Sequence, residues 1–260
     1  ARTNNSLGIA GVGVGCFLVS AKIVNPINAS GQFNPDPQAI AAGIRYASDV
    51  GAKVTNSSFA LGMPFQAVAF AYEDTWNAGV VHFAASGNGA APFVSYPASL
   101  PWVAAVGAID RTGLRADFSN TGFDLDFVGP GVDIYTTDRT GCAGYNCGSN
   151  PDYVIGPDGG GTDGTSFASP YAAGVAALLL HRNPRLIPQQ IISRMQQTCV
   201  DISPQVYGFG FDEFTGYGLI NAAAALGGTA MPRTGDANGD NAVNFADITA
   251  VLTNFGTTNL

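Results

Sequence analysis

Charge is scarce in this chain. Only 12% of its 260 residues are Asp, Glu, Lys or Arg, and 19 acidic residues against 11 basic ones leave a formal net charge of −8. With no basic patch and a polyanion repelled, a nucleic-acid partner is excluded. Glutamate almost vanishes, at 2 residues against 17 Asp, and Asp-rich loops suit calcium, a hard cation that takes oxygen ligands. No apolar run reaches the ~18 residues that span a bilayer. The start, Ala1-Arg2-Thr3-Asn4, lacks the basic-then-apolar pattern of a signal peptide, so a secretion signal would be one already removed or lying upstream. The four cysteines include no Cys-x-x-Cys pair, which argues against zinc. Cys142 and Cys147 flank Ala143-Gly144-Tyr145-Asn146 and have the spacing of a small loop disulfide, whereas Cys16 and Cys199, far apart in sequence, read as buried thiols. Histidine is rarest, present only as His82 and His181.

What is present is apolar and small: 46% hydrophobic residues and 34 glycines. That composition favours one tightly packed, loop-rich core with room for a small appendage. Short apolar runs alternate with helix-period segments. Residues 18–24, 53–58, 80–85 and 103–109 read as strands, and 127–136 as a further extended segment. Residues 37–51 and 65–78 read as helices, followed by a helix after Ser166, another over 188–198, and the segment 218–226. Such alternation implies βαβ units: an α/β fold, a mostly parallel sheet between helices. Sites in these folds form at the carboxyl ends of strands, where residues 56–58 and 86–88 fall. Residues 227–234 form a Gly/Pro linker to a distinct tail, 235–260.

Gly164-Thr165-Ser166-Phe167-Ala168-Ser169-Pro170 runs directly into a small-residue apolar helix. A serine there meets the unpaired N–H groups and partial positive charge of a helix N-terminus, which favour a developing oxyanion; the plainer role is a helix N-cap. The heptapeptide resembles the nucleophile motif of the subtilisin-like serine proteases, and further segments match that family in order. Asn4-Asn5-Ser6-Leu7-Gly8 looks like its calcium loop, which makes Asn5 a candidate ligand. Val54-Thr55-Asn56-Ser57-Ser58-Phe59-Ala60 looks like the edge of its specificity pocket, and Ala84-Ala85-Ser86-Gly87-Asn88 like its oxyanion segment. Tyr96-Pro97-Ala98, residues 118–122, 129–132 and 216–221 match smaller signatures. The resemblance covers residues 1 to about 226. It implies a subtilisin-like three-layer fold, with Ser166 as nucleophile and Asn88 donating its side-chain amide to the oxyanion. An extended substrate would lie between Ser30-Gly31-Gln32 and Ser58-Phe59-Ala60. The pocket walls would be residues 58–60 together with Ala85, Ser86 and Gly87. Nothing charged lines them, so the expected guest is a large apolar side chain; Phe59 alternatively belongs to the core.

The family's catalytic aspartate and histidine have no counterpart here, and the resemblance places both upstream of Asn4. His181 lies 15 residues from Ser166 along one helix, ~22 Å at 1.5 Å per residue. His82 lies six residues before Asn88, ~20 Å from the working end of its strand. A general base must come within ~3 Å, so His82 reads as a packed strand residue and His181 as a helix C-terminal residue. The expectation is therefore a chain lacking the N-terminal part of a protease. Departures from the family pattern are Phe167, Tyr171 and Asp163, the last placing a carboxylate near the nucleophile. The stretch 138–161 is longer than the connection requires and reads as a rim on the cleft.

In the tail, Asp236, Asn238, Asp240, Asn244 and Asp247 occupy loop positions 1, 3, 5, 9 and 12, with the Ala242 carbonyl at position 7. This spacing wraps oxygen ligands around one calcium ion. Residues 245–255 follow as a helix with an apolar stripe of Phe245, Ile248, Val251, Leu252 and Phe255. The tail resembles one repeat of a type I dockerin, which implies an EF-hand-like calcium module and a cohesin-like partner. The combined reading is a secreted, extracellular serine endopeptidase acting on polypeptides, with no membrane span. The alternatives are a catalytically inactive calcium-dependent binding or scaffold protein, and a non-proteolytic acyl hydrolase or transferase using the same serine.

Overall fold

The computed structural model describes residues 9–13, 15–24, 36–148, 152–154, 161–202, 206 and 208–227. Its centre is a four-stranded parallel sheet: β1 (Val54–Ser57), β2 (Val81–Ala85), β3 (Val103–Ile109) and β4 (Leu125–Pro130), paired in that order. Every residue of β2 and β3 is buried, as expected where helices cover both faces of a parallel sheet. Alternate side chains serve opposite layers. Ala84, Val103 and Ala105 pack with one apolar cluster, and Phe83, Ala104 and Val106 with the other.

The first layer is α1 (Pro37–Asp49) and α2 (Gln66–Asn77). α1 starts where it does because the Asp36 carboxylate accepts the Gln38 N–H at 2.9 Å and Pro37 presets the first helical φ. Its buried face is Ile40, Ala41, Ile44 and Ala47, the spacing of one helical stripe. The opposite layer is α3 (Thr165–Arg182) and α4 (Pro188–Thr198). Small residues let α3 lie close to the sheet: a Cβ added at Gly129 would stand 3.2 Å from the Ala168 carbonyl oxygen. Leu219 bridges both Val128 and Val200, and the chain then enters α5 (Ala222–Ala225), capped by the Asn221 side chain.

Three expected elements differ. Residues 18–24 form no strand. They have no regular secondary structure and pair with none of the described residues, Phe17 and Leu18 being 100% and 94% exposed; a strand requires a ladder partner. The segment 127–136 divides into β4 and the two-residue β5 (Thr136–Thr137), because the chain turns at Asp133, whose φ is +58°. In 218–226, only Ala222–Ala225 is helical. Cys142 and Cys147 form the expected disulfide, beyond which β6 (Tyr153–Val154) returns antiparallel to β5. Cys199 is the buried free thiol expected, whereas Cys16, also free, is exposed, because it lies in a run, residues 15–20, that is exposed throughout. Among the described residues no helix is long and apolar enough to cross a membrane.

Candidate active site

The carboxyl ends of β1 and β2 and the N-terminus of α3 converge on Ser166, which lies half-buried in the first turn of α3. Gly164 precedes that turn with φ +152°, a conformation that favours glycine, and its N–H bonds the Gly131 carbonyl at 2.8 Å. Asn88 follows β2. Its Oδ1 accepts from both the backbone N–H (2.9 Å) and the hydroxyl (2.7 Å) of Thr165. Two donors on one end of an amide identify that end as oxygen. Nδ2 is thereby directed to the side of Gly164, where an added Cβ would stand 3.4 Å from it. The result is an N–H donor beside the N-terminus of the serine's own helix, held by a neighbour of that serine.

The loop that carries Asn88 is fastened by Asn120. Asn120 Oδ1 accepts from Gly89 N–H (2.9 Å) and Ala91 N–H (3.0 Å), Nδ2 donates to Ser95 Oγ (3.0 Å), and the Asn120 backbone N–H donates to the Gly87 carbonyl (3.0 Å). Gly87 has φ +113°, and a Cβ there would fall 2.3 Å from Asn120 Nδ2. Only glycine fits. The roles of Thr165 and Asn120 were missed by sequence reasoning. The signals were present, an Asn in the 118–122 signature and a Thr beside Ser166, but nothing in one dimension shows whom they touch.

On the other side, β1 delivers Asn56 and Ser58. Ser169 Oγ donates to Asn56 Oδ1 (2.6 Å), Asn56 Nδ2 donates to Ser58 Oγ (2.9 Å), and Ser58 Oγ donates to the Ser166 carbonyl (2.8 Å). Ser58 and Ala60 are exposed, while Ala85, Ser86 and Gly87 are buried. Phe59 is half-buried and packs against the α1/α2-side core, so it belongs to the core. Ser30, Gly31 and Asn5 lie outside the described residues, as do the tail positions Asp236, Asn238, Asp240, Ala242, Asn244 and Asp247.

Neither histidine reaches Ser166. Strand alternation turns His82 toward α2, away from α3. Its Nδ1 pairs with Thr55 Oγ1 at 2.7 Å and its Nε2 with Thr75 Oγ1 at 3.0 Å, and its ring meets Tyr72 edge-on at 5.0 Å. Burial pushes its pKa down to about 3, so the ring is neutral. His181 is exposed in the last turn of α3. The Asp163 carboxylate accepts the Asp133 N–H at 2.7 Å. No group of three or more His, Cys, Asp or Glu side chains suited to a metal occurs among the described residues.

A three-layer α/β fold places a serine at the N-terminus of a buried helix, beside an oriented asparagine amide, and such an arrangement supplies N–H donors suited to a developing negative charge. The chain belongs to the subtilase family, whose model matches residues 1–218. It is 34% identical to the M-protease of Shouchella clausii over 225 residues, covering 86% of this chain and 52% of that protein. It is 33% identical to subtilisin Savinase of Lederbergia lenta, again over 86% of this chain and 73% of that protein. The chain thus spans about half the length of the first relative and about three quarters of the second. Among solved structures, fervidolysin from Fervidobacterium pennivorans, a keratinolytic enzyme related to subtilisin, superposes with a TM-score of 0.64 at 32% identity. That match covers 76% of this chain and 30% of fervidolysin.

Proposed function

We propose that this chain is the nucleophile-bearing part of an extracellular serine endopeptidase whose catalytic aspartate and histidine lie on a segment preceding Ala1. The observation that carries the reading is the clamped amide of Asn88: Thr165 donates twice to its oxygen, leaving Nδ2 as a fixed donor beside Gly164, two residues before Ser166. In this reading Ser166 Oγ attacks the scissile carbonyl while Asn88 Nδ2 and the Ser166 backbone N–H take up the oxyanion. The upstream histidine accepts the serine proton and returns it to the leaving amine, oriented by the upstream aspartate. Substrate lies extended along Ser58 and Ala60, opposite Ser30 and Gly31, with Ala85, Ser86 and Gly87 as the second pocket wall. Kinship with subtilisins, and the share of their length this chain spans, support both the activity and the missing segment.

In the same reading the tail, 235–260, is a dockerin-like calcium module. Asp236, Asn238, Asp240, the Ala242 carbonyl, Asn244 and Asp247 would hold one ion and a cohesin-like domain would be the partner; Asn5 would serve a second calcium loop. The spacing of oxygen ligands supports this assignment.

The test is to read the coding sequence upstream of Ala1, express the extended protein with calcium, and treat it with a fluorophosphonate probe. Labelling that disappears in Ser166→Ala establishes the serine protease. An upstream start codon without a histidine motif, together with no labelling, establishes a disarmed fold that binds.

A further inference from the structure

Pro170 sits inside α3, four residues after Ser166. A proline there has no N–H to give the carbonyl of residue i−4, and its ring pushes that carbonyl outward. The carbonyl so orphaned is the one belonging to Ser166. Ser58 Oγ donates to it at 2.8 Å from across the cleft. Ser58 has one hydroxyl proton, and the Asn56 amide, donating to Ser58 Oγ at 2.9 Å, occupies a lone pair and leaves that proton for the carbonyl. Asn56 is in turn fixed by Ser169 Oγ at 2.6 Å on its own Oδ1, and Ser169 is fully buried in α3.

We propose that Ser58 is a positioning residue: its hydroxyl replaces the hydrogen bond that Pro170 removes and so sets the backbone of the nucleophile against the end of β1. The inference rests on the protease reading for its kinetic consequence but not for its structural one. The mispositioned serine would still bind substrate, since Ser58 keeps its backbone groups when its hydroxyl is removed. The cost therefore falls on turnover rather than on KM.

A double-mutant cycle isolates the effect. Ser58→Ala should lower kcat about fivefold with KM changed less than twofold, the size of one hydrogen bond. Ser58→Thr, which keeps the hydroxyl, should restore most of the loss. In a Pro170→Ala background the backbone N–H of residue 170 returns to the Ser166 carbonyl, and the cost of Ser58→Ala should shrink below twofold. An equal cost in both backgrounds overturns the proposal, since the hydroxyl would then act through something other than that carbonyl. Urea unfolding of the same four proteins reads the coupling without catalysis. If the protein extended upstream of Ala1 proves inactive, the protease reading falls alone and the unfolding cycle decides: a cost of Ser58→Ala confined to the Pro170 background supports the link, and additivity overturns it.

Discussion

His82 makes acid stability a direct probe of the α2 side of the sheet. The ring is fully buried between the hydroxyls of Thr55 and Thr75 and against Tyr72, and burial lowers its pKa from 6.5 to about 3. Those partners bring no group that titrates between pH 7 and pH 5, since burial pushes the Tyr72 phenol further up from 10.0. Below pH 6.5 the unfolded chain binds a proton at this position that the native state refuses, so stability falls with pH until about 3, where native His82 protonates as well. Over the whole window the loss is about 5 kcal/mol, at 1.36 kcal/mol per pH unit, and about 2 kcal/mol of it falls between pH 7 and pH 5. Asp126 works in the opposite direction. Burial raises its pKa from 3.8 to about 6, although Ala105 N–H and the Gln196 amide stabilise the carboxylate. The native state therefore gains a proton there first, which returns about 1 kcal/mol over the same interval. The decisive comparison is His82→Gln against the parent, because Asp126 is common to both. Urea unfolding at pH 7, 6 and 5, followed by tryptophan fluorescence, should show the variant gaining about 2 kcal/mol on the parent between pH 7 and pH 5. Parallel pH dependences would refute a buried neutral His82.

Asn88→Ala removes the oriented donor, and turnover of the extended protease should drop ~10²–10³-fold with KM little altered, measured on a chromogenic peptide. Asn120→Ala strips three partners from the loop carrying Asn88; unfolding should report a loss of about 2–3 kcal/mol. Gly87→Ala drives a methyl into Asn120 Nδ2 at 2.3 Å with φ at +113°; it should cost about 2 kcal/mol or more and slow fluorophosphonate labelling. Calcium titrated calorimetrically into the chelator-treated chain should show an uptake event lost in an Asp236→Ala/Asp240→Ala double variant, and an unchanged isotherm would remove the assigned tail site.

Several elements were legible in one dimension because their causes are local. α1 is announced by Asp36-Pro37 and by the spacing of Ile40, Ala41, Ile44 and Ala47, and β3 by an uninterrupted apolar run between turns. The layering follows from strands alternating with helices, and the segments around Ser166 and Asn88 were recognisable as short strings that resemble those of a known family. Residues 18–24 were not decided this way. Their β-rich composition is compatible with a strand, but strands are completed by neighbours, and no described residue pairs with them.

The sequence by itself determined which residue types are available: a serine at a helix start, an asparagine after a strand, two histidines too far along the chain to serve. Tertiary structure alone decided what those groups face. Strand parity and packing turned His82 toward Thr75, and residues 77 apart in sequence joined to lock the Asn88 amide. The hydroxyl of Ser58 met a carbonyl 108 residues away that a proline had left without its helical partner. The physical reason is that a hydrogen bond is fixed by distance and direction in space, whereas sequence spacing sets only what lies within one helical turn or one strand step.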